Sequence, residues 1–189
     1  LESGRIVVDE GSWRWQAESG QGLLDFDGAS SADAPVTEFA RRPEDEPESR
    51  EADGWFERAC ELEADSPLEA RAAYERAIDL DPAHAEAHVN LGRLLHEAQD
   101  PAAAAEHYRA ALDARPGDGT AAFNLGVAYE DLGLLPEALL QYQEAVRFDP
   151  ANADGHYNAA ALAERLGRPA EAVRHLKAFR LLTRGRAPE

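Results

Sequence analysis

With 189 residues, 37 acidic and 19 basic side chains and a formal charge of -18, the chain is long enough for one sizeable domain and an appendage. That charge argues against general affinity for nucleic acid or anionic membrane, and no run of about 18 apolar residues is present to span a bilayer. The single cysteine, Cys60, has no internal disulfide partner, which fits a reducing cytoplasm. The chain has no methionine and starts at Leu1 without a signal-peptide pattern, and so reads as the downstream part of a longer protein.

In chain order, residues 1–27 predict a small β-hairpin segment: Ile6-Val7-Val8 is β-branched, Asp9-Glu10-Gly11-Ser12 is turn chemistry, and Trp13-Arg14-Trp15 alternates. Two strands are marginal in water, so this hairpin is expected to lean on the helices, on a second copy or on an upstream domain. Residues 28–50 are Ala, Ser, Asp, Glu and Pro with little apolar content, the composition of an acidic flexible linker. From Ala52 the period changes, because Ala52, Trp55, Phe56, Ala59 and Leu62 recur at three and four. Eight amphipathic helices are predicted over 51–184 as four helical hairpins, about 52–84, 85–118, 119–152 and 153–184, followed by a tail over 185–189. Pro67, Pro101, Pro136 and Pro169 open the second helix of each pair, and Gly133 and Gly167 stop the first.

The hairpins are copies of one unit. Asn90-Leu91-Gly92 returns 34 residues later as Asn124-Leu125-Gly126 and again as Asn158-Ala159-Ala160. Ala104, Ala138 and Ala172 keep the same step, as do Tyr108, Tyr142 and Leu176, and Pro82, Pro116 and Pro150. A fixed period of this size signals a solenoid in which each unit buries its apolar face only against a neighbour.

These residues resemble the tetratricopeptide repeat. The third unit matches its pattern at Leu125, Gly126, Tyr129, Ala138, Tyr142, Ala145 and Pro150, and departs at Ala122, where the pattern has Trp. The second matches at Leu91, Gly92, Ala104, Tyr108, Ala111 and Pro116. The first has Trp55, Ala70, Tyr74, Ala77 and Pro82 but Arg58-Ala59 for Leu-Gly, and the fourth diverges most. The resemblance implies an all-α solenoid, a right-handed superhelix whose first helices line a concave groove that binds an extended segment of a partner protein. A second stretch, Glu18-Ser19-Gly20-Gln21 leading into Leu23-Leu24-Asp25-Phe26, is similar to the segment joining MerR-type DNA-binding domains to such repeats in some bacterial regulators. It implies the alternative function, the effector or oligomerising half of a transcription regulator whose DNA-binding part precedes Leu1.

The expected groove lining is Val89, Phe123 and Tyr157; Asn90, Asn124 and Asn158; Arg93, Val127 and Ala161; and His96, Glu130 and Glu164. An asparagine amide both donates and accepts, so a ladder of three would pair with the main chain of an extended peptide whatever its sequence. The alternative is that each asparagine bonds locally. Val89, Thr120 and Asp154 stand where the family's carboxylate clamp needs basic residues, so acidic C-termini are not expected as ligands. Glu130, Asp131 and Glu164 bias the groove toward a basic partner, although most carboxylates are expected on solvated faces.

The last helix, with Leu176, Phe179, Leu181 and Leu182, lacks an evident cap, so a homodimer through it or through the N-terminal hairpin is expected. Arg165, Arg168, Arg174, Lys177, Arg180, Arg184 and Arg186 make this end basic. No catalytic constellation, phosphate loop or cofactor motif is legible; His84 and His88 lack a third metal ligand, and Cys60 is expected in the core. The chain is therefore read as a non-enzyme without cofactor or metal, binding protein rather than nucleic acid or membrane.

Overall fold

The computed structural model describes residues 7–10, 13–16, 22–23 and 47–184. The chain divides into two compact units, residues 1–40 and 41–189. In the first, β1 (Val7–Glu10), β2 (Trp13–Gln16) and β3 (Gly22–Leu23) form an antiparallel sheet in the order β1-β2-β3, with Val8 opposite Trp15 and Arg14 opposite Leu23. The expected hairpin thus gains a short third strand. Most of the stretch resembling the MerR-type linker, residues 28–46 of the expected flexible linker, and the tail lie outside the described residues.

The second unit is helical: α1 (Pro47–Leu62), α2 (Pro67–Leu80), α3 (Ala85–Glu97), α4 (Pro101–Ala114), α5 (Gly119–Asp131), α6 (Leu135–Phe148), α7 (Ala153–Arg165) and α8 (Pro169–Thr183). α1 begins at Pro47, inside the stretch read as linker, because proline suits a first helical position. The starts of the later helices have local causes. Asp100 accepts from the Ala103 N–H, Asp118 from those of Thr120 and Ala121, and Asn152 from that of Gly155. At α3 a histidine does this work, His84 Nδ1 accepting from the Ala87 N–H at 3.2 Å. Gly133 and Gly167 end their turns at φ 76° and 71°, while Gln99 holds the equivalent place at φ 64°.

Each helix packs on its hairpin partner and, more sparingly, the second helix of each pair packs on the first of the next. The core runs along this stack. Tyr74, Tyr108 and Tyr142 are the largest fully buried side chains, joined by Leu91, Leu125, Leu139 and Leu162. Burying each contributes roughly 1.5–3 kcal/mol. Cys60 does not join them. Ala59 takes the buried position on α1, and the next residue, about 100° around the helix, is exposed. Its thiol sits 3.3 Å from the Tyr74 hydroxyl.

Candidate peptide-binding groove

The first helices of successive pairs, α3, α5 and α7, carry the asparagines at one helical position. All three side chains are half-buried. Asn90 Nδ2 donates to the Tyr74 hydroxyl at 3.0 Å and lies 3.9 Å from Cys60 Sγ. The Asn158 amide acts on the Tyr142 hydroxyl in the same sense, offsetting part of its upward shift. The Asn90 bond ties the first helix of its pair to the second helix of the preceding pair. Asn124 makes no such bond to Tyr108 among the described residues, so its amide is uncommitted at the centre of the row.

The tyrosines are firm anchors. Burial, followed by the hydrogen-bonded Cys60 and Glu63, pushes the Tyr74 hydroxyl far above its usual range. Burial and Glu130 do the same to Tyr142, and burial pushes Tyr108 up to about 12. All three stay protonated donors, so Tyr74 gives its proton to Glu63, and Tyr142 gives its own to Glu130 at 3.2 Å.

The charged lining is largely paired off. Arg93 bridges Glu63 on the preceding hairpin and Glu97 at 2.8 Å. Glu130 is met by Arg165 at 2.6 Å, and Asp131 by His96 at 2.6 Å, each partner 35 residues away and so one unit along. Glu164 is exposed and is the acid of this row with no ion-pair partner among the described residues.

The apolar column divides by exposure. Val89 is half-buried, as is Phe123, whose ring packs on Tyr142 at 5.6 Å; Tyr157 packs on Phe179 at 5.4 Å and is half exposed. Val127 is half-buried beside Phe123, and Ala161 is exposed. The lining therefore presents amide and aromatic surface more than net charge.

The tetratricopeptide-repeat profile matches residues 61–119 and 97–153. This chain is a tetratricopeptide-repeat protein. Its fold is that of a protein-interaction module, and among the described residues no helix is long and apolar enough to cross a membrane. The crystal structure of MamA aligns with TM-score 0.66 and 19% identity over 73% of this chain and 81% of its own. MamA 41-end from Desulfovibrio magneticus RS-1 aligns with TM-score 0.63 and 22% identity over 71% and 77%. At these identities the likeness is one of fold. No curated protein sequence matches the chain.

Two features escaped the sequence reading. One is the Tyr74–Asn90 bond, whose 16-residue spacing recurs in Tyr108/Asn124 and Tyr142/Asn158 without marking which pair bonds. The other is a pair of histidine clips: His88 Nδ1 to His107 Nδ1 at 3.0 Å, and His156 Nδ1 to His175 Nδ1 at 3.1 Å. Both members recur after 68 residues, two full units, and that doubled step was the signal available in the sequence. Among the described residues no group of three or more His, Cys, Asp or Glu is placed to hold a metal.

Proposed function

We infer that the face formed by α3, α5 and α7 binds an extended segment of a partner protein, with Asn124 as the central main-chain contact. The observation that carries this reading is the uncommitted Asn124 amide between Asn90, whose N–H is held by Tyr74, and Asn158, which acts on Tyr142. The outer two would offer carbonyl oxygens and the central one both donor and acceptor, which suits a peptide backbone. Val89, Phe123 and Tyr157 supply apolar contact for alternate side chains of the segment. Exposed Glu164 would favour a basic residue near one end, whereas Glu130 is already neutralised by Arg165. We read the protein as a cytoplasmic scaffold rather than an enzyme, in keeping with its exposed free thiol.

The test is selection of peptides from a random library on the full chain, followed by titration of the selected peptides against Asn124→Ala. A loss of about tenfold or more in affinity, with helicity and melting temperature unchanged, is expected. Equal affinity for Asn124→Ala, Phe123→Ala and Tyr157→Ala would overturn the reading.

A further inference from the structure

We propose that α8 of one copy docks on α1 of a second copy, so that the solenoid continues head to tail from chain to chain with Arg180 seated over Gly54. The two faces belong to opposite ends of the helical unit and are independent of the groove.

The junction between α6 and α7 supplies the template. There Leu139, Tyr142 and Val146 of α6 are buried, and Val146 fits against Gly155 of α7, where a Cβ would approach Val146 Cγ1 to 2.8 Å. Advancing by the 34-residue unit, α8 presents Val173, Leu176 and Arg180 at these places. Val173 is 49% and Leu176 39% exposed, and Arg180 is exposed as well. The helix thus carries an interface face without a helix against it among the described residues. Stepping Gly155 back by 34 gives Ala121 and Ala87, both fully buried, and a further step of 33 gives Gly54 on α1, because the first unit is one residue shorter, with buried Ala59 in the place of Gly92. Beyond its own helix, no atom of the described residues lies within 4 Å of a Cβ built on Gly54, and the surrounding cleft of about 340 Å³ is lined by Glu51, Trp55 and Arg58.

Charge selects a second copy as the occupant. α1 holds five acidic residues against two arginines, whereas α8 holds one acidic residue against Arg174, Lys177 and Arg180. In the docked arrangement the Arg180 guanidinium reaches the Glu51 carboxylate and the face of Trp55, a salt bridge and a cation–π contact at one point. Arg58, on the same cleft, is already paired with Glu61 at 3.2 Å. Lys177 and Arg184 beside Arg180 add attraction to the acidic helix. The contact is heterologous and propagates as an open chain or closes as a ring. Because it uses one helix face per copy, its affinity is expected in the micromolar-to-millimolar range and to weaken with salt.

The test is sedimentation equilibrium of the full chain across concentration, for wild type, Arg180→Glu, Glu51→Arg and an equimolar mixture of the two variants. The expected result is self-association of wild type that weakens in about 0.5 M salt, at least tenfold weaker association of either variant alone, and restored association in the mixture. Gly54→Lys fills the seat while improving helix propensity, so its expected loss of association is not a folding defect. Three outcomes would overturn the proposal: wild type monomeric at about 1 mM, association equal in wild type and both charge variants, or a mixture no more associated than its parts.

Discussion

Gly126 on α5 and Tyr142 on α6 are in direct contact, so that a Cβ on the glycine would stand 2.7 Å from the tyrosine ring. Gly92 and Tyr108 repeat the relationship one unit earlier at the same distance. Alanine is the better helix former by about 1 kcal/mol, yet this close approach makes the substitution unfavourable. Overpacking of this kind costs about 1–3 kcal/mol, and the ring it meets is fully buried. Gly126→Ala is expected to lower stability by about 1 kcal/mol net in urea unfolding. Unchanged or raised stability would show that the ring yields.

The opposite sign is expected at Gln99. It holds φ 64° at the place where Gly133 and Gly167 end the corresponding helices of the next two units. A side chain in this left-handed region costs about 1–2 kcal/mol, partly offset in a glycine variant by the greater freedom of its unfolded chain. Gln99→Gly is expected to raise stability by about 0.5–1 kcal/mol, read as a higher urea midpoint with an unchanged slope. A lower midpoint would mean that the Gln99 side chain makes a contact worth more than the strain.

These two positions show what was legible. The unit length, the proline starts and the Gly133 and Gly167 stops are local signals, and they fixed the helices to within a residue or so from α2 onward. The start of α1 was not legible, because Pro47 and its acidic neighbours have both linker composition and helix-start chemistry. Periodicity could set the candidate residues at equivalent positions of the first helices, but it could not give their partners. Arg93 meets Glu63 and Glu130 meets Arg165 across 30 and 35 residues, and such pairing depends on how successive hairpins stack. Composition alone therefore overstated the acidity of the lining.

That pairing separates the three asparagines experimentally. Asn90→Ala removes donors from Tyr74 and should cost about 1 kcal/mol of stability, whereas Asn124→Ala, with no such bond to break, should leave stability within about 0.5 kcal/mol of wild type. Thermal melts of the two variants side by side check this. Equal destabilisation would place Asn124 in a structural bond and remove the reason for assigning it the central ligand contact.

The histidine clips predict a pH dependence of stability. His88 Nε2 donates to the Pro82 carbonyl at 3.1 Å, so in the neutral ring its Nδ1 is the acceptor and His107 Nδ1–H the donor. Protonating both rings would leave two N–H groups and two charges facing each other at 3.0 Å. Burial holds His88 below its usual value, with a further push from His84 against the opposing pull of Pro82 and Asp81. Burial and then His88 lower His107 despite Glu106 and Glu75, with Arg71 adding to the depression. At the second clip, burial, His156 and Arg174 lower His175 against Glu171. The folded state thus binds fewer protons than the unfolded chain below the ordinary histidine value of 6.5. Stability from the clips is then complete above that pH and is lost as pH falls beneath it, by up to about 1.4 kcal/mol per pH unit for each histidine held neutral. Melting temperature should fall between pH 7 and pH 5, and His88→Gln combined with His175→Gln should flatten that slope while lowering stability at pH 7. A slope unchanged by the double variant would assign the acid sensitivity to other groups.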